Sequence, residues 1–179
     1  MSRIHKPQKS LVLIGLMGVG KTTVGRRLAN ALKLDFRDAD EEVERAAGRS
    51  VSEIFEDFGE SAFRDGERKV IARLLEEPPM VLALGGGAFV DEGTRARIEA
   101  RATSIWLKAD VETLVKRVAR RDTRPLLRDD DPETVLRTLL NTRQAAYAKA
   151  DIHVDASGGS HQITLDLILR ALDAREAEA

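Results

Sequence analysis

Short apolar runs alternate with longer amphipathic stretches along the chain. Residues 10–14 read Ser-Leu-Val-Leu-Ile and end at Gly15, the pattern of a strand buried on both faces. From 22 to 32 the apolar residues Val24, Leu28 and Leu32 recur at helical spacing, which predicts an amphipathic helix. Further strands are predicted over 34–37, 80–84, 103–107 and 152–154. Further helices are predicted over 40–47, 52–58, 61–77, 91–101, 111–121, 132–149 and 161–174. Gly48 and Gly59 break the early helices, Pro78-Pro79 stops the long one, and Pro132 sits in a first turn, where its missing N–H is harmless. The stretch 122–131 is rich in Asp and Arg without an apolar period and reads as a mobile loop. Strand–helix alternation of this kind predicts an α/β fold, a parallel sheet with helices on both faces. Nothing divides the chain, so one domain over residues 1–179 is expected.

Composition narrows the function. A length of 179 residues suits one domain of ordinary size. Lys plus Arg is 29 against 30 for Asp plus Glu, and this balance argues against a domain built to hold a nucleic-acid backbone. Arg outnumbers Lys, 21 to 8. Arg grips carboxylates and phosphates through a planar fork, although compositional bias explains the count alone as well. Cysteine is absent, which excludes disulfides, thiolate catalysis and Cys-based metal centres. His5, His153 and His161 are too scattered to suggest a metal site. No apolar run is long enough to span a membrane and the first residues are polar, so a cytoplasmic protein with no membrane partner is expected. No feature demands a partner chain, and a monomer is the expectation.

The chemistry starts after the first strand. Gly15-Leu16-Met17-Gly18-Val19-Gly20-Lys21-Thr22 matches G-x-x-x-x-G-K-[ST] between a buried strand and a helix, the context that gives this motif its meaning. Its glycines let successive N–H groups face one anion at a helix N-terminus. Lys21 can reach the outer phosphates and the Thr22 hydroxyl can hold Mg²⁺. No Asn-Lys-x-Asp element for reading guanine is present. Gly85-Gly86-Gly87 follows the third strand and exposes backbone where a substrate packs closely. Asp38 and Asp40 follow the second strand. If that strand continues, both carboxylates share one face; Asp38 then serves the magnesium and Asp40 an attacking hydroxyl. The bland alternative is that they cap the next helix. Arg64 and Glu67, in Phe63-Arg64-Asp65-Gly66-Glu67, share a helical face. Arg124 lies in the Asp- and Arg-rich loop, and Arg143 in the helix after it. A loop arginine closing over a transferring phosphoryl group would stabilise its charge.

These motifs, in this order and spacing over roughly residues 11–155, resemble the shikimate kinase family. The resemblance implies a three-layer P-loop fold of the nucleoside-monophosphate-kinase type, with a central five-stranded parallel sheet in the order 2-3-1-4-5. It implies transfer of the γ-phosphoryl of ATP to the 3-hydroxyl of shikimate, with Mg²⁺ as cofactor and shikimate and ATP as ligands. By matching position, Gly18, Val19, Gly20, Lys21, Thr22 and Thr23 would cradle the nucleotide, and Thr22 and Asp38 would serve the metal. A helical segment of about 40–68 would bind shikimate. There Asp40 would hold its hydroxyls or act as base, Arg64 and Arg143 would clamp its carboxylate, and Glu67 would support Arg64. Gly86 and Gly87 would offer backbone contacts, and Phe55 and Phe63 would line the pocket. Arg124 would act from a lid of about 120–131, and Arg117 would stack on adenine. Members often carry Thr or Ser before the triple glycine, where this chain has Leu84. The rivals are a gluconate-type kinase of the same fold and a non-catalytic nucleotide-binding module; an acceptor-dependent ADP-release assay separates all three.

Overall fold

The computed structural model describes residues 6–120 and 131–179. Its elements run β1 (Ser10–Ile14), α1 (Lys21–Leu32), β2 (Asp35–Asp38), α2 (Ala39–Ala47), α3 (Val51–Leu74) and β3 (Met80–Ala83). A 3-10 turn (Ala88–Val90) leads to α4 (Glu92–Arg101), β4 (Ala102–Lys108), α5 (Val111–Ala119), α6 (Pro132–Tyr147), β5 (Ile152–Asp155) and α7 (His161–Glu178). The strands form one sheet in the order β2-β3-β1-β4-β5, and every pairing is parallel.

β1 is the centre of the sheet. Leu11, Val12, Leu13 and Ile14 are all almost fully buried. Consecutive strand residues point to opposite faces, so burial of every one requires helices on both sides of the sheet. Helix α1 packs on β3 and against α7, α4 packs on β4 and against α3, and α5 packs on α6. From β1 the chain moves to β2 and β3 on one side, then to β4 and β5 on the other. Strand order therefore reverses at β1, and parallel sheets bind ligands at the carboxyl ends of strands beside such a reversal.

Several boundaries differ from the sequence pattern. α3 runs through both stretches expected as separate helices; the break is confined to Gly59, with φ 85°. The helix then stops at Leu74, short of the prolines. β2 ends at Asp38, and α2 begins at once. Among the described residues, no helix is long and apolar enough to cross a membrane.

Candidate active site

The loop after β1 is shaped by glycine. Gly20 has φ 101°, a left-handed conformation that L side chains rarely adopt. A side-chain carbon there would also lie 2.8 Å from His161 Cε1. Helix α1 starts at the next residue with no side-chain cap and no acid in its first turn. Helices α2 to α6 are each capped by an Asp or Ser side chain, whereas α7, like α1, has no side-chain cap bond. Gly20, Lys21, Thr22 and Thr23 of the first uncapped end and Ser160 and His161 of the second all line one cavity of about 590 Å³. Exposed N–H groups at such ends favour an anion. Lys21 Nζ donates to the carbonyls of Gly15 and Leu16.

Asp38 and Asp40 reach this cavity differently from the extended-strand expectation. Asp38 is the last residue of β2 and the N-cap of α2, its Oδ1 accepting from the N–H groups of Asp40 and Glu41. Its Oδ2 accepts from the Thr22 hydroxyl at 3.2 Å. Asp38 therefore caps α2 and faces the nucleotide loop at once. A hydroxyl beside a carboxylate is an all-oxygen donor set of the kind Mg²⁺ takes. Asp40 sits in the first turn of α2, not on the strand. Its Oδ1 is buried without a hydrogen-bond partner. Burial above all, then the charge of Asp38, holds the Asp40 carboxyl above the usual carboxylate range, against the pull of Lys21 and Arg64.

Across the cavity, Arg64 Nη1 donates to Glu67 Oε1 at 2.9 Å, one helical turn along α3. Glu67 is only 2% exposed, and its Oε2 has no hydrogen-bond partner. Burial raises the Glu67 carboxyl above its ordinary value, with Arg64 opposing. Phe55 and Phe63 line the same side, with ring centroids 4.9 Å apart.

The triple glycine joins these groups. A side-chain carbon on Gly85 would lie 2.8 Å from Asp40 Oδ1, and one on Gly87 would lie 2.6 Å from the Arg64 guanidinium. One on Gly86 would overlap the Arg143 guanidinium. Each glycine makes room for a different charged group, and the three groups come from α2, α3 and α6. Two guanidiniums and a carboxylate thus converge on one bare backbone turn, an arrangement suited to a small hydroxy acid.

At the other end of the cavity, Arg117 donates to the carbonyls of Val19, at 3.2 Å, and Ala156, at 2.9 Å. It ties the nucleotide loop to the segment after β5. Gly18 lines the cavity, but Val19 does not: its side chain is 1% exposed, packed into the core. Only the Val19 backbone is turned to this end. Arg124 and most of the expected lid lie outside the described residues. Apart from Val19, every expected residue among the described ones lines the cavity, Thr23, Asp38, Gly86 and Arg143 included. Sequence reading passed over Arg27, Val51, Ser160 and His161, which line it too. The Ser157-Gly158-Gly159-Ser160 turn between the last expected strand and the last helix was the available signal for the last two.

A model of the shikimate kinase family matches residues 17–173. The chain belongs to the shikimate kinase family. A shikimate kinase of Caulobacter vibrioides is 61% identical over 171 residues, covering 96% of this chain and 84% of that protein. The shikimate kinase of Acinetobacter baumannii, solved in complex with shikimate, superposes with a TM-score of 0.89 at 36% identity, covering 95% of this chain and 96% of that one. A gluconokinase of Sinorhizobium meliloti matches with a TM-score of 0.66 at 20% identity, covering 96% and 94% of the two chains; it shares the fold. Like other shikimate kinases, the protein is an ATP-dependent kinase, and the five-stranded order expected for the family is the order observed.

Proposed function

We propose that this protein transfers the γ-phosphoryl group of ATP to the 3-hydroxyl of shikimate, giving shikimate 3-phosphate and ADP, a step toward chorismate and the aromatic amino acids. The observation that carries the reading is the convergence of Asp40, Arg64 and Arg143 on Gly85, Gly86 and Gly87. Shikimate has one carboxylate and three hydroxyls. Two arginines answer the carboxylate and one aspartate answers the hydroxyls. The shikimate-bound relative of the same family supports the choice of acceptor.

In this reading Lys21 and the N–H groups of residues 18–23 hold the ATP phosphates, and Arg117 faces the base. Thr22 and Asp38 would hold Mg²⁺, which when bound neutralises charge on the phosphates. Arg64 and Arg143 orient the acceptor, Glu67 steadies Arg64, and Phe55 and Phe63 wall the pocket. The Asp40 carboxylate accepts the proton of the acceptor hydroxyl as its oxygen attacks the γ-phosphorus. The bond from that phosphorus to the β–γ bridging oxygen breaks, and ADP leaves. Positioning and charge stabilisation do most of the work, as in phosphoryl transfer generally.

A coupled ADP-release assay with Mg·ATP and shikimate, gluconate or no acceptor tests the reading. ADP release is expected with shikimate alone; turnover with gluconate but not shikimate would replace the acceptor. Arg143→Ala should raise KM for shikimate by at least ~30-fold, the effect of losing roughly 2 kcal/mol from a charged pair. KM for ATP should stay within about twofold, since Arg143 belongs to the acceptor side.

A further inference from the structure

Tyr147 ends α6, one helical turn beyond Arg143, and is fully buried. Its hydroxyl donates to the carbonyl of Gly86, and both that hydroxyl and the Arg143 guanidinium lie against the bare face of Gly86. Its ring packs on Trp106 of β4, with centroids 5.6 Å apart. Trp106 in turn meets the His153 ring edge-on at 5.2 Å and lies under Lys108 Nζ at 4.8 Å. An apolar core position would accept Phe. A buried hydroxyl persists only where a polar partner needs it, and its partner Gly86 lines the acceptor side of the cavity together with Arg143.

We propose that Tyr147 is a positioning residue for the acceptor. It fixes the Gly86 backbone against which the Arg143 guanidinium lies, so the carboxylate clamp is set before substrate arrives. Shared attachment of this kind lowers the ordering cost of binding. Gly86 has no side chain to hold its peptide in place, and the Tyr147 hydroxyl holds its carbonyl instead. Burial pushes the Tyr147 phenol above its ordinary value of 10.0, with Arg143 opposing, so the proton donated to Gly86 is retained through the neutral range. The inference rests on the reading of Arg143 as a ligand of the shikimate carboxylate.

Initial-rate kinetics on the whole enzyme test it, with Tyr147→Phe, Trp106→Phe, Arg143→Ala and the Tyr147→Phe/Arg143→Ala double variant, each assayed well below its own melting temperature. Tyr147→Phe keeps the ring and removes the hydroxyl. KM for shikimate should rise about 5- to 20-fold, the scale of one hydrogen bond whose partner is left unpaired, while KM for ATP stays within about twofold. Trp106→Phe loosens the same packing without touching Gly86 or Arg143. It should lower Tm and leave KM for shikimate within about twofold. The Tyr147→Phe effect should shrink in the Arg143→Ala background, because the two residues act together. A merely structural Tyr147 predicts matching KM values for the Phe variants at 106 and 147, or an undiminished effect in the double variant; either result overturns the proposal. If Arg143→Ala leaves KM for shikimate unchanged, the acceptor reading itself fails, and this inference with it.

Discussion

Asp40→Asn should lower kcat by about 100-fold to 10,000-fold, the usual range for a general base, and should raise Tm of the ligand-free enzyme. The two effects share one cause. Asp40 Oδ1 is pressed against Gly85 with no hydrogen-bond partner, and burial holds the carboxyl above its ordinary 3.8 despite Lys21 and Arg64. With the folded value above the unfolded one, the stabilising contribution is complete below the unfolded value and is lost as pH rises through the folded value. At neutral pH the ionised group therefore costs stability, and a neutral amide of the same shape removes that cost. The same elevation makes the carboxylate a better proton acceptor. Each ~1 kcal/mol regained moves Tm by about 2–4 °C in a chain of this size, within reach of scanning calorimetry. In the parent enzyme the acid limb of kcat should lie above the ordinary carboxylate value, and it should vanish in the variant. Near-normal kcat in Asp40→Asn would reduce Asp40 to a positioning group; an unchanged or lowered Tm would contradict the burial argument.

Arg64→Ala is expected to damage stability and acceptor binding together. Glu67 is 2% exposed, and Arg64 is its hydrogen-bonded partner at 2.9 Å. Removing one member of a buried pair costs about 3–5 kcal/mol. The lower end applies here because the Arg64 side chain is 27% exposed, so Tm should fall by roughly 6–12 °C. Without Arg64 the Glu67 carboxyl rises further above its ordinary 4.5. The loss should therefore be full at neutral pH, shrink as pH falls through the raised value, and be least below 4.5. Adding Glu67→Gln to Arg64→Ala should restore most of Tm, since it removes the stranded charge, yet leave KM for shikimate high. Recovery of KM along with Tm would show that Arg64 acts only on the fold.

The alternation of apolar runs was enough to read the α/β architecture, because strands buried on both faces are continuously apolar, as β1 is. The glycine motif was legible for a related reason: anion-binding loops need particular backbone conformations, and Gly18 and Gly20 both have positive φ. The Asp38-Ala39-Asp40 run was harder. Asp38 pairs with Ala83 of β3 while its side chain captures two N–H groups of α2. Competition between a ladder bond and a cap decides where a strand ends, and periodicity does not register it. Val19 shows a different limit. It stands within the loop motif, yet its side chain belongs to the core, since a cradle made of backbone leaves side chains free to point either way. The partners of the triple glycine were beyond any local pattern. Asp40 and Arg64 come from the consecutive helices α2 and α3 and Arg143 from α6 far along the chain, and only the tertiary fold determines which of them each glycine meets.

The N-termini of α1 and α7, which have no side-chain cap bond, leave part of the stability of the fold to whatever binds between them. A side-chain cap contributes about 1 kcal/mol to a helix, and these two ends depend on water or on a bound anion instead. A ligand held by the folded form adds about 2.7 kcal/mol at a hundred times its Kd. Proteases cleave the opened form, whose population falls as that term grows. A nucleotide bound there would therefore also act as a reversible structural component, slowing proteolysis of the enzyme as its concentration rises.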